Sequence, residues 1–182
     1  MAITPDEAAR VYRGADRLYS LEQVEAAIDR MASEIHAQLG ERNPVVLCVM
    51  SGAVVPIGRL VSRMDFPMQL DYCHATRYRG EIRGGDLHWL SEPRESLVGR
   101  TVLIVDDILD EGYTLHALIG ACTRLGAASV HTAVVVVKRH DRGMGLEADF
   151  WALEVGDRYV FGYGMDYRGY LRNVPGIFAV AD

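Results

Sequence analysis

Four carboxylates fall within six residues, Asp106, Asp107, Asp110 and Glu111, and Gly112, Tyr113 and Thr114 follow them directly. Carboxylates this close repel one another and call for a cation or for hydrogen-bond donors nearby. Gly112 permits a tight turn. Backbone N–H groups opening a helix after that turn would converge on one point, which suits a phosphate, and Thr114 adds a hydroxyl. An acidic pair beside a phosphate cradle is contradictory for a simple anion site but coherent for a sugar phosphate. The carboxylates accept hydrogen bonds from sugar hydroxyls while the cradle takes the phosphate. The plain alternative is a solvated acidic turn capping a helix.

Other residues carry chemistry further along the chain. Lys138 ends an apolar run, and its ammonium is a donor only, so it favours a carbonyl oxygen over an amino group. Tyr159 offers a π face to a planar ring. Arg172, with Arg77, Arg79 and Arg83, supplies positive charge for a diphosphate. Each has an ordinary alternative: a strand-end cation, core packing, or unrelated surface charge. Their joint occurrence is what argues for a site.

The elements that must position these residues are readable from periodicity. Leu21, Val24, Ile28, Met31, Ile35 and Leu39 recur at helical spacing, with Ser20 and Gln23 as a capping box and Gly40 as a stop. The spacing predicts a helix over 21–39. Buried strands are expected at Val45–Met50, Thr101–Val105 and Val130–Val137, a further strand at Met68–Thr76, and shorter ones at Phe150–Glu154, Tyr159–Phe161 and Ile177–Val180. Helices are expected at Val54–Met64 and Thr114–Leu125. Arg77–Asp86, with three arginines and three glycines, reads as a basic mobile loop with a return near Leu87–Leu90. Helices alternating with strands apolar on both faces predict an α/β fold with a parallel sheet flanked by helices. Ligands of such sheets sit outside the carboxyl ends of the strands. That singles out Ser51-Gly52, Asp106–Thr114 and Lys138–Arg142.

The bulk properties set limits. A chain of 182 residues with 49% hydrophobic residues fits one domain, 1–182. A net charge of −6 argues against a nucleic-acid surface. Cys48, Cys73 and Cys122 show no CxxC spacing and sit in apolar stretches, as buried free thiols do. No zinc spacing occurs among the six histidines. Neither a signal-peptide core nor a membrane-spanning run is present, so a cytoplasmic location is expected.

The stretch TVLIVDDILDEGYT, Thr101–Thr114, resembles the phosphoribosyl diphosphate motif of type I phosphoribosyltransferases. The same letters contain DDxxD, the diphosphate motif of prenyl synthases, but that motif belongs on a helix and here it follows a β-branched run. VVVVKRHDR at Val134–Arg142 and YVFGYGMDYRGYLRN at Tyr159–Asn173 resemble the hypoxanthine-guanine members, from about Val45 to Val180.

The resemblance implies that fold, with a small hood from N-terminal residues and 150–182 and a mobile loop. It implies transfer of a 5-phosphoribosyl group to a 6-oxopurine with release of pyrophosphate. Asp110 would be the general base. Asp106 and Asp107 would hold the ribose, and Glu111, Gly112, Tyr113 and Thr114 would form the phosphate loop. Lys138, Tyr159 and the Val160 backbone would read the base. Arg172 would hold pyrophosphate, and Ser51-Gly52 would form its loop, where a non-proline cis peptide is common. Arg77-Tyr78 would align with the Ser-Tyr pair of the mobile loop. Mg2+ would be the cofactor, with Asp106 and Asp166 as its ligands. A homodimer or homotetramer without nucleic-acid or membrane partners is implied. Four positions depart from the family pattern: Glu111 stands where Thr is frequent, Tyr113 where Lys is frequent, Ser51 where Lys is frequent, and Arg77 where the mobile loop usually has Ser. Two alternatives accompany this reading, a non-catalytic sensor of the sugar diphosphate and a transferase for another base such as xanthine.

Overall fold

The computed structural model describes residues 3–77 and 87–181. Two sheets organise them. Strands are β1 (Asp16–Tyr19), β2 (Val45–Val49), β3 (Gln69–Arg77), β4 (Leu87–Ser91), β5 (Thr101–Leu109), β6 (Ser129–Lys138), β7 (Phe150–Val155), β8 (Val160–Phe161) and β9 (Ile177–Ala179). Helices are α1 (Pro5–Gly14), α2 (Leu21–Leu39), α3 (Val54–Val61) and α4 (Tyr113–Arg124). The main sheet runs β4-β3-β2-β5-β6-β7, parallel except for β4 against β3. The small antiparallel sheet runs β1-β9-β8.

The main sheet buries both faces because β2 is apolar throughout and β5 and β6 carry long apolar runs, Val102–Val105 and Ala133–Val137. Val46, Cys48, Leu103, Val105, Ala133 and Val135 point to one side, where Val24, Ile28, Met31 and Ile35 of α2 and Ile57 and Leu60 of α3 cover them. Val45, Leu47, Val49, Val102, Ile104 and Val134 point to the other, under Leu115, Leu118 and Cys122 of α4. This is the period-2 alternation of a sheet between two helical layers. The Ser20 capping box forms as expected, its hydroxyl accepting from the Gln23 N–H while the Gln23 side chain accepts from the Ser20 N–H. Losing such a cap costs about 1 kcal/mol. The three cysteines are buried and free, and burial pushes their thiols up to about 11 (Cys48, Cys122) and about 12 (Cys73).

Several expectations need correction. β5 does not stop at Val105; it continues to Leu109 because β6 remains apolar and pairs with it as far as Leu109↔Val137. Asp106 and Asp107 therefore lie on the end of a strand, not in the turn after it. β2 pairs with β5 only as far as Cys48↔Val105, so beyond that point one edge of β5 is open. β7, assigned above to the hood, is the edge strand of the main sheet. The hood strands come from 16–19, 160–161 and 177–179. α1 and β1 are additional to the elements expected from the sequence. Tyr78 and most of the 77–86 loop lie outside the described residues.

Candidate active site

The site lies where β5, β6 and the β2–α3 turn end together. At the end of β5, Asp106 accepts the Asp107 N–H at 2.9 Å. Burial, then the charge of Asp107, pushes the Asp106 carboxyl well above the ordinary carboxylate range. Burial also raises Asp107, although a hydrogen bond with Asp106 and the charge of Arg172 pull it back. Two carboxylates held this way favour a cation or hydroxyl donors as partners.

The β2–α3 turn forms the floor beneath them. Its Met50–Ser51 peptide is cis, one bond before the Ser51-Gly52 pair picked out from sequence. Gly52 is buried and touches the Asp107 carboxylate so closely that a Cβ there would fall 2.2 Å from Oδ2. On the other side, Gly164 packs against the Gly52 carbonyl, where a Cβ would also fall 2.2 Å away. Backbone approach this close is open only to glycine.

Arg172 comes in from the hood. Its guanidinium meets Asp166 at 2.6 Å, the Gly164 carbonyl at 2.7 Å and Asp107 at 3.8 Å. Asp166 also accepts the Gly169 N–H at 2.7 Å. The structure thus brings Asp106, Asp107, Asp166 and Arg172 into one neighbourhood. Arg172 is committed there to protein partners, so an anionic ligand would have to draw it from Asp166. Among the described residues, no three His, Cys, Asp or Glu side chains form a ready-made metal cage. Magnesium keeps waters and phosphate oxygens and needs only one or two carboxylates, so Asp106 and Asp166 suffice in chemistry for an ion shared with a diphosphate.

After β5 the chain turns through Asp110, Glu111 and Gly112. Gly112 has φ +83° and caps α4 without a side-chain bond to the helix. The first N–H groups of α4 thus face the cavity bounded by Asp106–Leu115. Glu111 is exposed, while its carbonyl accepts the Met144 N–H at 3.0 Å. Tyr113 is exposed and Thr114 half-buried.

Beside the cradle lies an ionic cluster. Lys138, at the end of β6 and with only 11% of its side chain exposed, donates to Asp110 Oδ2 at 2.6 Å. His140 Nε2 lies 2.6 Å from Asp110 Oδ1. Burial raises the Asp110 carboxyl, but the Lys138 and His140 hydrogen bonds outweigh it and hold the group below its ordinary value. His140 was not singled out from sequence. The available signal was its place just past a strand end, inside the Lys138–Arg142 segment already flagged.

The hood completes the surroundings. Tyr159 is half exposed and meets Tyr167 edge-on at 5.3 Å. The Val180 N–H donates to the Tyr159 carbonyl, so the Val160↔Ala179 pair is the non-hydrogen-bonded kind. β8 is an edge strand, and its Val160 N–H and C=O turn away from β9. Arg77 lies at the end of β3.

A family model described as phosphoribosyl transferase domain matches residues 14–168. A Tritrichomonas foetus protein named hypoxanthine-guanine-xanthine phosphoribosyltransferase is 30% identical over 163 residues, covering 87% of this chain and 87% of that protein. A Listeria innocua protein named bifunctional protein TilS/HprT is 32% identical over 159 residues, covering 87% of this chain but 24% of that protein. The chain thus spans about a quarter of that relative's length. A solved structure of a hypoxanthine-guanine-xanthine phosphoribosyltransferase superimposes with a TM-score of 0.83 at 27% identity, covering 92% of this chain and 97% of that one.

Proposed function

The chain belongs to the phosphoribosyl transferase family, and from that premise we propose that it transfers a 5-phosphoribosyl group from phosphoribosyl diphosphate to a 6-oxopurine. The products are a purine nucleoside monophosphate and pyrophosphate. The observation that carries the choice of base is the half-buried Lys138 ammonium, held 2.6 Å from Asp110 beside the phosphate cradle. It is a donor-only group placed next to a carboxylate that can accept a proton.

In this reading the first N–H groups of α4, with Glu111, Gly112, Tyr113 and Thr114, cradle the 5′-phosphate. Asp106 and Asp107 accept hydrogen bonds from the ribose hydroxyls. Arg172 exchanges Asp166 for the diphosphate, and the Ser51-Gly52 backbone lies along it. When bound by Asp106 and Asp166, magnesium supplies positive charge against the diphosphate. Tyr159 stacks on the purine, and the Val160 carbonyl accepts the N1 hydrogen. Lys138 donates to the exocyclic oxygen at C6. The bond from ribose C1 to the diphosphate oxygen breaks with its electron pair leaving on pyrophosphate. The purine N9 lone pair forms the new bond, and the N7 proton passes to Asp110. Charge build-up at C1 resembles that in other glycosyl transfers.

The free-state geometry gives this reading a further consequence. With Lys138 and His140 both bonded, Asp110 is a weak base. Moving Lys138 to the purine oxygen removes one donor and raises the basicity of Asp110 once the correct base is in place. Self-association as a dimer or tetramer belongs to the same proposal; Leu70 and Tyr72 on β3 and Leu90 on β4 expose large apolar surfaces. Among the described residues no helix is long and apolar enough to cross a membrane.

The test is incubation of the protein with phosphoribosyl diphosphate, magnesium and each of hypoxanthine, guanine, xanthine and adenine, with chromatographic detection of the nucleotide. IMP and GMP formation is expected, abolished by excess chelator. Xanthine is included because the Tritrichomonas foetus relative is named for it. Donor binding without nucleotide from any base would favour a sensor instead.

A further inference from the structure

We propose that His140 is a positioning residue that holds Asp110 ionised and aimed while Lys138 is engaged with the base; this rests on the transferase reading above. The Arg142 backbone N–H donates to His140 Nδ1 at 3.1 Å. A nitrogen that accepts a hydrogen bond carries a lone pair, so the proton of the neutral imidazole sits on Nε2. Nε2 faces Asp110 Oδ1 at 2.6 Å, and the ring therefore donates to the carboxylate. The His140 side chain is only 5% exposed, so water is poorly placed to replace it.

The division of labour at Asp110 follows. Its two oxygens are held separately, Oδ2 by Lys138 and Oδ1 by His140. Lys138 has two calls on it, the carboxylate in the free protein and the purine oxygen in the complex. His140 has one, because Nδ1 is already satisfied by the loop backbone. When Lys138 turns to the base, His140 is the donor to Asp110 that remains among the described residues. It keeps Oδ1 fixed, which leaves Oδ2 to face the purine N7. The other charged groups around this cavity are Glu111, Glu147, Arg139 and Arg142. Arg139 is paired with Glu154 and Arg142 with Asp157 at 2.6 Å, so neither is committed to Asp110.

The ring is held by a turn that the sequence builds for it. Gly143 has φ +93° and packs on the backbone of Glu111, where a Cβ would fall 2.4 Å from the carbonyl oxygen. Met144 donates to that same carbonyl at 3.0 Å. The 138–146 segment is thereby pinned to the phosphate turn, and His140 moves with the cradle it serves.

The experiment compares wild-type protein, His140→Leu and His140→Gln in the full chain. The kcat with hypoxanthine, the KM for phosphoribosyl diphosphate and the pH profile of kcat are measured for each. Leucine keeps bulk but donates nothing. A lost hydrogen bond to a charged group is expected to lower kcat by about 10- to 100-fold, with donor KM little changed. Removing a donor that favours the ionised carboxylate also moves the acid limb of the profile to higher pH. Glutamine can place an N–H near the Nε2 position, so it should lose less and keep the acid limb closer to wild type. A leucine variant with unchanged kcat and acid limb would overturn the proposal, as would a loss that falls wholly on donor KM. A second measurement needs no variant. In the ligand-free wild-type protein, long-range 1H–15N spectra should show a neutral ring protonated at Nε2 at pH 7.5; an Nδ1–H ring would overturn the positioning geometry. Wild-type protein inactive with every base would instead bring down the transferase reading, and this inference with it.

Discussion

Replacing Gly52 with alanine displaces Asp107, because the added methyl has one place to go. It would fall 2.2 Å from Asp107 Oδ2, 2.5 Å from Cγ and 2.9 Å from Oδ1. Carbon and oxygen in ordinary contact sit well beyond 3 Å, so the carboxylate must retreat by about 1 Å. The turn is poorly placed to give way instead. Gly164 presses on the Gly52 carbonyl from the hood, and the Ala53 N–H is bonded to the Val49 carbonyl at 3.0 Å. A misplacement of about 1 Å in a substrate-positioning group costs about 100-fold in rate. Steady-state kinetics should therefore show kcat/KM for the donor reduced by about that factor in Gly52→Ala. The melting temperature should fall by only a few degrees, about what a 1 kcal/mol perturbation gives in a chain of this size. Near wild-type kcat/KM in a well-folded variant would refute the link between this glycine and Asp107.

Asp110→Asn should cut kcat by about 10²–10⁴-fold while leaving donor affinity nearly intact, as loss of a general base does; collapse of donor affinity with turnover preserved would make Asp110 a sugar ligand instead. Glu111→Thr should tighten donor binding measured by calorimetry, because it removes a negative charge at the rim of the phosphate cradle; unchanged or weaker affinity would show that the exposed Glu111 carboxylate points away from the phosphate. Asp106→Asn should raise the melting temperature of the ligand-free protein at pH 7.5 while abolishing turnover. The Asp106 carboxyl is raised on folding, so its favourable contribution is complete below the ordinary carboxylate pKa and is lost as pH rises through the folded value. The stability gain of the variant should therefore shrink on acidification, and a lower melting temperature at pH 7.5 would contradict the repulsive environment assigned to Asp106.

What the sequence could and could not convey follows from the range of the interactions involved. The α2 helix and the buried strands rest on local pattern, and Ser20–Gln23 and the β-branched runs specify them without reference to distant residues. The extension of β5 through Asp106 and Asp107 was not legible, because two aspartates read as a turn until the apolar Val134–Val137 stretch is seen pairing alongside them. Helix α1 does carry a signal in the Thr4 cap followed by Pro5, with the Thr4 hydroxyl accepting the Glu7 N–H at 3.2 Å. β1 has none comparable; its place comes from pairing with β9, more than 150 positions away.

The candidate site divides in the same way. The acidic strand end, the Gly112 turn and Lys138 are contiguous motifs. The Arg172–Asp166–Asp107 grouping depends on the hood docking beside the β2–α3 turn, and the contact of Gly52 with Asp107 on β2 and β5 lying side by side in the sheet; no local pattern encodes either. His140 falls between these cases, visible by position but given a role only by its 2.6 Å approach to Asp110.

The most direct measurement is the ratio of kcat/KM for hypoxanthine to that for adenine, in wild-type protein and in Lys138→Met. Adenine presents an amino group to the Lys138 ammonium and a bare N1 to the Val160 carbonyl, leaving buried polar groups unpaired. A site built on such contacts discriminates by about 10⁴-fold or more. Strong preference for hypoxanthine in the wild type, lost with its turnover in Lys138→Met while donor binding persists, is the expected result. Comparable efficiency with adenine and hypoxanthine, or a Lys138→Met variant that keeps both activity and preference, would contradict the assignment of this site to a 6-oxopurine.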